Sequence, residues 1–124
     1  MKTPVVTPNA PSAIGPYSQA IVSGQAIYVS GQLPIDPATG TMPDLAADQA
    51  RQSLTNIKAI LEAAGATMED VTRTGVFLTD LADFQAVNEV YATFFRAPYP
   101  ARSSVEVKAL PKGAKVEIEA LAIK

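Results

Sequence analysis

The chain has 124 residues, 48% of them apolar, with ten basic against twelve acidic side chains and a net charge of -2. That length supports one hydrophobic core and predicts a single domain, residues 1–124. It has neither cysteine nor histidine, which excludes disulfides, thiolate nucleophiles, cysteine zinc sites and Ser-His-Asp catalysis.

The lysines and arginines are spread without a block, whereas a nucleic-acid surface concentrates them on one face. No run approaches 18 apolar residues, and the start, MKTPVVTPNAPSAIGPY, is broken by prolines at 4, 8, 11 and 16. The expectation is a soluble, cytoplasmic protein that binds neither nucleic acid nor membrane.

Residues 1–17 read as loop or extended chain. Two short apolar runs, Ala20–Val22 and Ala26–Val29, flank Ser23-Gly24-Gln25 and read as a hairpin. A turn-rich connection, PIDPATGTMPD, follows. Ala50, Leu54, Ile57, Leu61 and Ala64 then recur at helical spacing, and Gly65 stops that helix. Thr67 and Asp70 match a cap before a strand over Val71–Thr79, in which Gly75 marks a bulge or a close approach. Asp80 or Asp83 caps a second helix with Phe84, Val87, Tyr91 and Phe94 on one face, ended by Ala97-Pro98-Tyr99-Pro100. Strands over Ser103–Ala109 and Val116–Ile123 complete an α+β chain. Two helices cover one face of such a sheet, so the other face calls for a partner, and sheet-against-sheet closure of an oligomer is expected.

Strand alternation puts Arg102, Ser104, Glu106 and Lys108 on one face, and Lys115, Glu117, Glu119, Leu121 and Ile123 together on one face of the last strand. Glu117 or Glu119 is expected to be partly buried. If the last two strands pair, Arg102 either bridges to one of these glutamates or holds a ligand carboxylate while the glutamate orients a water. The second arrangement suits hydrolysis of an imine, whose carbon is already electrophilic. Near the first hairpin, Tyr17, Ser30, Gly31 and Gln32 are either turn and capping residues or part of a pocket wall.

The blocks AIGPYSQA, YVSGQLPIDPATG, QARQSLTNIKAILEAAGATMEDV, VFLTDLADFQAVNEVY, YPARSSVEV and KVEIEALAIK together resemble the RidA family, also called YjgF, and the resemblance covers nearly the whole chain. It implies a chorismate-mutase-like α+β fold assembled as a barrel-like homotrimer with clefts between subunits. The implied activity is that of a 2-iminobutanoate/2-iminopropanoate deaminase, hydrolysing 2-aminoacrylate and related enamine/imine acids to 2-ketoacids and ammonia without metal or organic cofactor. By position, Arg102 is the carboxylate-pairing arginine of the archetypal subgroup, and Glu117 rather than Glu119 is the water-directing glutamate. Tyr17, Ser30 and Gly31 line the pocket, and Asn88 falls in a similar helical stretch. Ser104 stands where many members carry cysteine, which leaves a water-based mechanism intact and removes a thiol-based one. The competing readings are a non-catalytic trimer that binds 2-ketoacids, a chaperone-like surface, and RNA cleavage, which a chain without histidine or a basic stripe serves poorly.

Overall fold

The computed structural model describes residues 1–124, and its elements follow the hydrophobic patterning closely. Six strands, β1 (Lys2–Val5), β2 (Ala20–Ser23), β3 (Ala26–Gln32), β4 (Val71–Leu78), β5 (Ala101–Glu106) and β6 (Val116–Ile123), form one sheet in the order β1-β2-β3-β6-β4-β5. Every neighbouring pair is antiparallel except β4–β5, which is parallel. The two helices, α1 (Ala46–Ala63) and α2 (Phe84–Phe94), occur in the crossovers β3–α1–β4 and β4–α2–β5. They pack against each other, and α1 also packs on β3 and β6. This is the expected α+β arrangement, a mixed sheet with both helices on one face.

The core lies between helices and sheet. Leu54, Ile57, Ile60 and Leu61 of α1 are fully buried against Val116, Ile118 and Ala122 of β6 and Val76 and Leu78 of β4. Alternation along β6 is regular: Val116, Ile118, Ala120 and Ala122 are buried, while Glu117, Glu119 and Leu121 on the other face are only partly covered. Helix α1 also buries Gln49 and Asn56. Gln49 Nε2 donates to Pro43 O at 2.8 Å and its Oε1 accepts from Lys115 N at 2.8 Å. Asn56 Nδ2 donates to Leu33 O at 3.2 Å and Ile35 O at 3.0 Å. These amides tie the turn-rich connection to the core, because buried carbonyls need donors.

Residues 2–5, expected as loop or extended chain, take the extended form as an edge strand, since β2 offers them a complete ladder. Two expectations change. The fifth strand begins at Ala101, so Arg102 lies inside it. Strands β5 and β6 do not pair, because β4 runs between them. Among the smaller expectations, Thr67 and Asp70 form a reciprocal capping box. Asp80 rather than Asp83 accepts the capping hydrogen bond, at the short 3-10 turn before α2. No helix is long and apolar enough to cross a membrane.

Candidate active site

The residues singled out from the sequence fall into two clusters on opposite faces of the sheet. Thr74 is the register partner of both Arg102 and Ala120, and Val76 of both Ser104 and Ile118. Cross-strand partners point to one face, so Arg102 and Ser104 share the helix-covered side with Ala120 and Ile118. Phe77 pairs with Val105 and Glu117. Glu117 therefore belongs to the open side.

The first cluster is cationic. Arg102 Nη1 donates to Asn88 Oδ1 at 2.7 Å, and the guanidinium carbon sits 4.7 Å from the Tyr91 ring centroid and 5.4 Å from that of Phe84. Phe84, Asn88 and Tyr91 are four and then three residues apart on α2, so they line one stripe of that helix. The expected bridge from Arg102 to Glu117 or Glu119 does not form. The sole ion pair in the chain joins Arg96 to Glu69. Two residues beyond Arg102, Ser104 Oγ is buried with no hydrogen-bond partner. An unsatisfied buried hydroxyl costs about 1–3 kcal/mol, so this group gains from any hydrogen-bonding partner that reaches it.

The second cluster is acidic. A register shift in the β3–β6 ladder between Val29 and Gln32 displaces Ser30 and Gly31 from regular pairing. Ser30 N donates to Gln19 O at 3.0 Å and Ser30 Oγ to Ser18 O at 2.6 Å, which ties the bulge to the chain entering β2. A β-carbon on Gly31 would overlap the Glu117 carboxylate, so the glycine is the recess in which that carboxylate lies. Burial raises the Glu117 pKa above the ordinary glutamate value, and the neighbouring Glu119 charge raises it further. Gly75 plays the same part for Glu119: a β-carbon there would stand 2.9 Å from Glu119 Oε2. Close approach, not a bulge, is the reason for glycine at 75. Ser30, Gly75 and Glu119, with Tyr28, Arg73 and Leu121, border a shallow concavity of about 330 Å³ on the open face.

Tyr17 lies on the exposed loop before β2, its amide donating to Gly15 O at 2.9 Å and its hydroxyl free of hydrogen bonds within the chain. Gln32 turns inward, buried, with Nε2 donating to Ser30 O at 3.1 Å. A larger groove of about 940 Å³, bordered by Arg51, Lys58, Met68, Phe94 and Arg96, includes none of the expected site residues. Nor is any group of three acidic side chains arranged to hold a metal ion. Strands β5 and β6 are two ladder spacings apart, about 10 Å, and the guanidinium and the Glu117 carboxylate leave the sheet in opposite directions. One chain thus presents a cationic cluster and an acidic cluster that do not converge on one small ligand.

Patterning places Phe84 and Tyr91 on one face of the second helix, which does pack on the core, but marks neither their contact with Arg102 nor Thr74. The available signal was aromatic, amide and aromatic at 84, 88 and 91 on the helix that leads into the arginine-bearing strand.

The comparisons with known proteins agree on the family. The family model described as Endoribonuclease L-PSP matches residues 7–124. A RutC family protein of Sinorhizobium fredii is 57% identical over 122 residues, covering 98% of this chain and 97% of that protein. The 2-iminobutanoate/2-iminopropanoate deaminase of Escherichia coli K12 is 52% identical over 127 residues, covering 100% of this chain and 99% of the enzyme. Among solved structures, E. coli TdcF with bound serine superimposes with a TM-score of 0.95 at 49% identity, covering 98% of each chain. The E. coli YjgF gene product gives 0.96 at 52% identity, again covering 98% of each. With its sheet, its two helices and nearly its full length matched, the chain belongs to the RidA/YjgF family of imine deaminases.

Proposed function

We propose that this protein is a 2-iminobutanoate/2-iminopropanoate deaminase that hydrolyses short enamine and imine acids to 2-ketoacids and ammonia, in clefts shared between neighbouring copies of a homotrimer. The observation that carries this reading is Arg102, an exposed guanidinium fixed by Asn88 and two aromatic rings with no carboxylate partner in its own chain. A fixed, unpaired guanidinium is a receptor for a carboxylate, which it grips with two parallel N–H donors. The bound serine in E. coli TdcF, itself an amino acid carboxylate, supports the same class of ligand.

The opposed half-sites support a composite cleft. A second copy that brings its Ser30–Gly31–Glu117 cluster against Arg102, Asn88 and Ser104 supplies what one chain lacks, with Tyr17 as an aromatic wall. The open sheet face favours such closure: Tyr28, Val105 and Ile123 are 53%, 44% and 42% exposed. Apolar surface of this kind is normally covered by a partner, and a closed ring of three covers it on every copy.

In this cleft the enamine, once tautomerised to the imine, is held by its carboxylate on Arg102. Glu117 accepts a proton from water as the water oxygen bonds to the imine carbon, and passes it to the nitrogen to give the neutral carbinolamine. The carboxylate then takes the carbinolamine hydroxyl proton and delivers it to the nitrogen as the C–N bond breaks, so that the 2-ketoacid and ammonia leave and Glu117 is again ionised. A carboxylate whose pKa is raised by burial is a better base near neutrality than an exposed one, which suits Glu117 to that step. The description of the family model names a ribonuclease, but general acid-base cleavage of RNA calls for groups and a phosphate-binding stripe that this chain does not gather at either cluster.

The test is release of 2-ketoacid and ammonia from 2-aminoacrylate generated in situ, corrected for uncatalysed hydrolysis, with Arg102→Ala and Glu117→Gln beside the wild type. Acceleration by the wild type, lost in both variants with assembly intact, supports the deaminase. Tight 2-ketoacid binding without acceleration would replace it with a ligand-binding trimer.

A further inference from the structure

A line of side chains that begins in the core reaches Arg102. Thr74 is fully buried and is the register partner of Arg102 across the β4–β5 pair. Its hydroxyl shares a 2.7 Å hydrogen bond with Tyr91 Oη, each group able to donate. Tyr91 comes from α2 and is buried, so a strand residue and a helix residue restrain each other. The same ring packs on Phe95 with centroids 4.6 Å apart and planes inclined by 40°. The Tyr91 ring is therefore held at its hydroxyl and along its side, and the Arg102 guanidinium lies over it. Beyond the one bond to Asn88, the guanidinium N–H groups have no acceptor in the chain.

We propose that Tyr91 is the positioning residue of Arg102: pinned by Thr74 and Phe95, its ring works with the Asn88 amide to fix the guanidinium in one plane before a ligand carboxylate arrives. The proposal rests on the reading of Arg102 as the carboxylate clamp. An arginine on an edge strand has a long, flexible stem, and ordering it on binding costs rotamer entropy. A ring face beneath the cation restrains it in advance while leaving its donor edge free. Burial raises the Tyr91 pKa above the ordinary phenol value, outweighing the opposing effects of Thr74 and Arg102. The ring consequently stays neutral through the working pH range.

The test uses the full-length protein and two readouts. The first is NMR of the Arg102 side chain in the free protein, where a ring at this distance shifts its resonances and slows guanidinium rotation. The second is the affinity for 2-ketobutanoate. Tyr91→Leu removes the ring, Tyr91→Phe keeps it without the pin, and Thr74→Val removes the pin from the other side. In folded Tyr91→Leu the ring shift is expected to vanish and the dissociation constant to rise about tenfold, whereas Tyr91→Phe stays within about threefold of wild type. Rescue by the aromatic variant separates positioning from general loosening of α2. If Tyr91→Leu does not fold, Thr74→Val decides, with a faster-rotating guanidinium expected. Unchanged Arg102 resonances and wild-type affinity in a folded Tyr91→Leu, or an unchanged guanidinium rotation in Thr74→Val, overturn the proposal. Arg102→Ala tests the underlying reading separately: if it binds 2-ketobutanoate as the wild type does, the clamp itself fails, whatever the NMR reports on Tyr91.

Discussion

Gly31 is the recess for the Glu117 carboxylate: the space a β-carbon would fill at 31 is taken by Glu117 Oε2. The atom in the way is the end of a flexible side chain. A Gly31→Ala substitution is therefore expected to move the carboxylate rather than the backbone. The prediction is a fall in kcat/KM of at least about tenfold, because a misplaced base no longer reaches its water. Thermal unfolding should show a loss of less than about 1 kcal/mol. Loss of the fold instead would mean that the recess serves packing alone.

The Glu117 pKa is raised first by burial and then by the charge of Glu119. For a base that must be ionised, the acidic limb of the kcat/KM profile should lie above the ordinary glutamate range. Glu119→Gln removes the like charge and should shift that limb to lower pH, with Arg73, Tyr28 and Ser30 the other polar groups bordering the concavity beside Glu119. An unmoved limb would assign it to another group.

The same shift has a consequence for stability. A carboxyl whose folded pKa exceeds its unfolded value contributes stability that is present below the unfolded pKa and lost as pH rises through the folded one. Glu117→Gln abolishes that loss. The melting temperature of the variant should therefore rise relative to the wild type between pH 4 and 7, roughly the window in which a raised glutamate ionises. Parallel curves would mean that Glu117 titrates normally in the fold.

Asn88 accepts from Arg102 through a neutral oxygen, which leaves the positive charge available to a ligand. Asn88→Asp is nearly isosteric but converts that contact into an ion pair. The expected result is at least about tenfold weaker 2-ketobutanoate binding in a well-folded protein, measured by calorimetry. Unaltered affinity would show that the ligand carboxylate does not meet Arg102.

Asn56 tests the scaffold. Replacing it with leucine leaves the Leu33 and Ile35 carbonyls without their donor, at a cost of about 1–3 kcal/mol for each that stays buried. Denaturant unfolding of Asn56→Leu should register at least one such loss.

Much of this architecture is legible in the residues. The alternation Val116, Ile118, Ala120, Ala122 against Glu117, Glu119, Leu121 matches the buried and open faces of β6, because a period of two has only one way to bury an apolar set. The stripe Ala50, Leu54, Ile57, Leu61 likewise matches the core face of α1. Strand β1 was not legible, since Lys2–Val5 contains a proline and is extended only because β2 pairs with it. Strand neighbours were not legible either. Nothing local in Val116–Ile123 says that it runs between β3 and β4, and an assumed β5–β6 pair had put Arg102 within reach of the glutamates. The Thr74–Tyr91–Arg102 line escaped for the same reason, being made by register between strands and packing of a helix across them. The Gly31 and Gly75 recesses depend on which residue lies opposite each glycine.

The central claim is that Arg102 of one copy and Glu117 of another serve the same cleft. Arg102→Ala and Glu117→Gln, each inactive alone, should be mixed by co-expression and the purified assembly assayed for 2-ketoacid release from 2-aminoacrylate. Random mixing in a cyclic trimer restores one cleft in every mixed assembly, or about one quarter of wild-type activity overall. Activity near that level is the predicted result. A mixed assembly as inactive as its two parents would contradict the shared cleft and require both residues from a single chain.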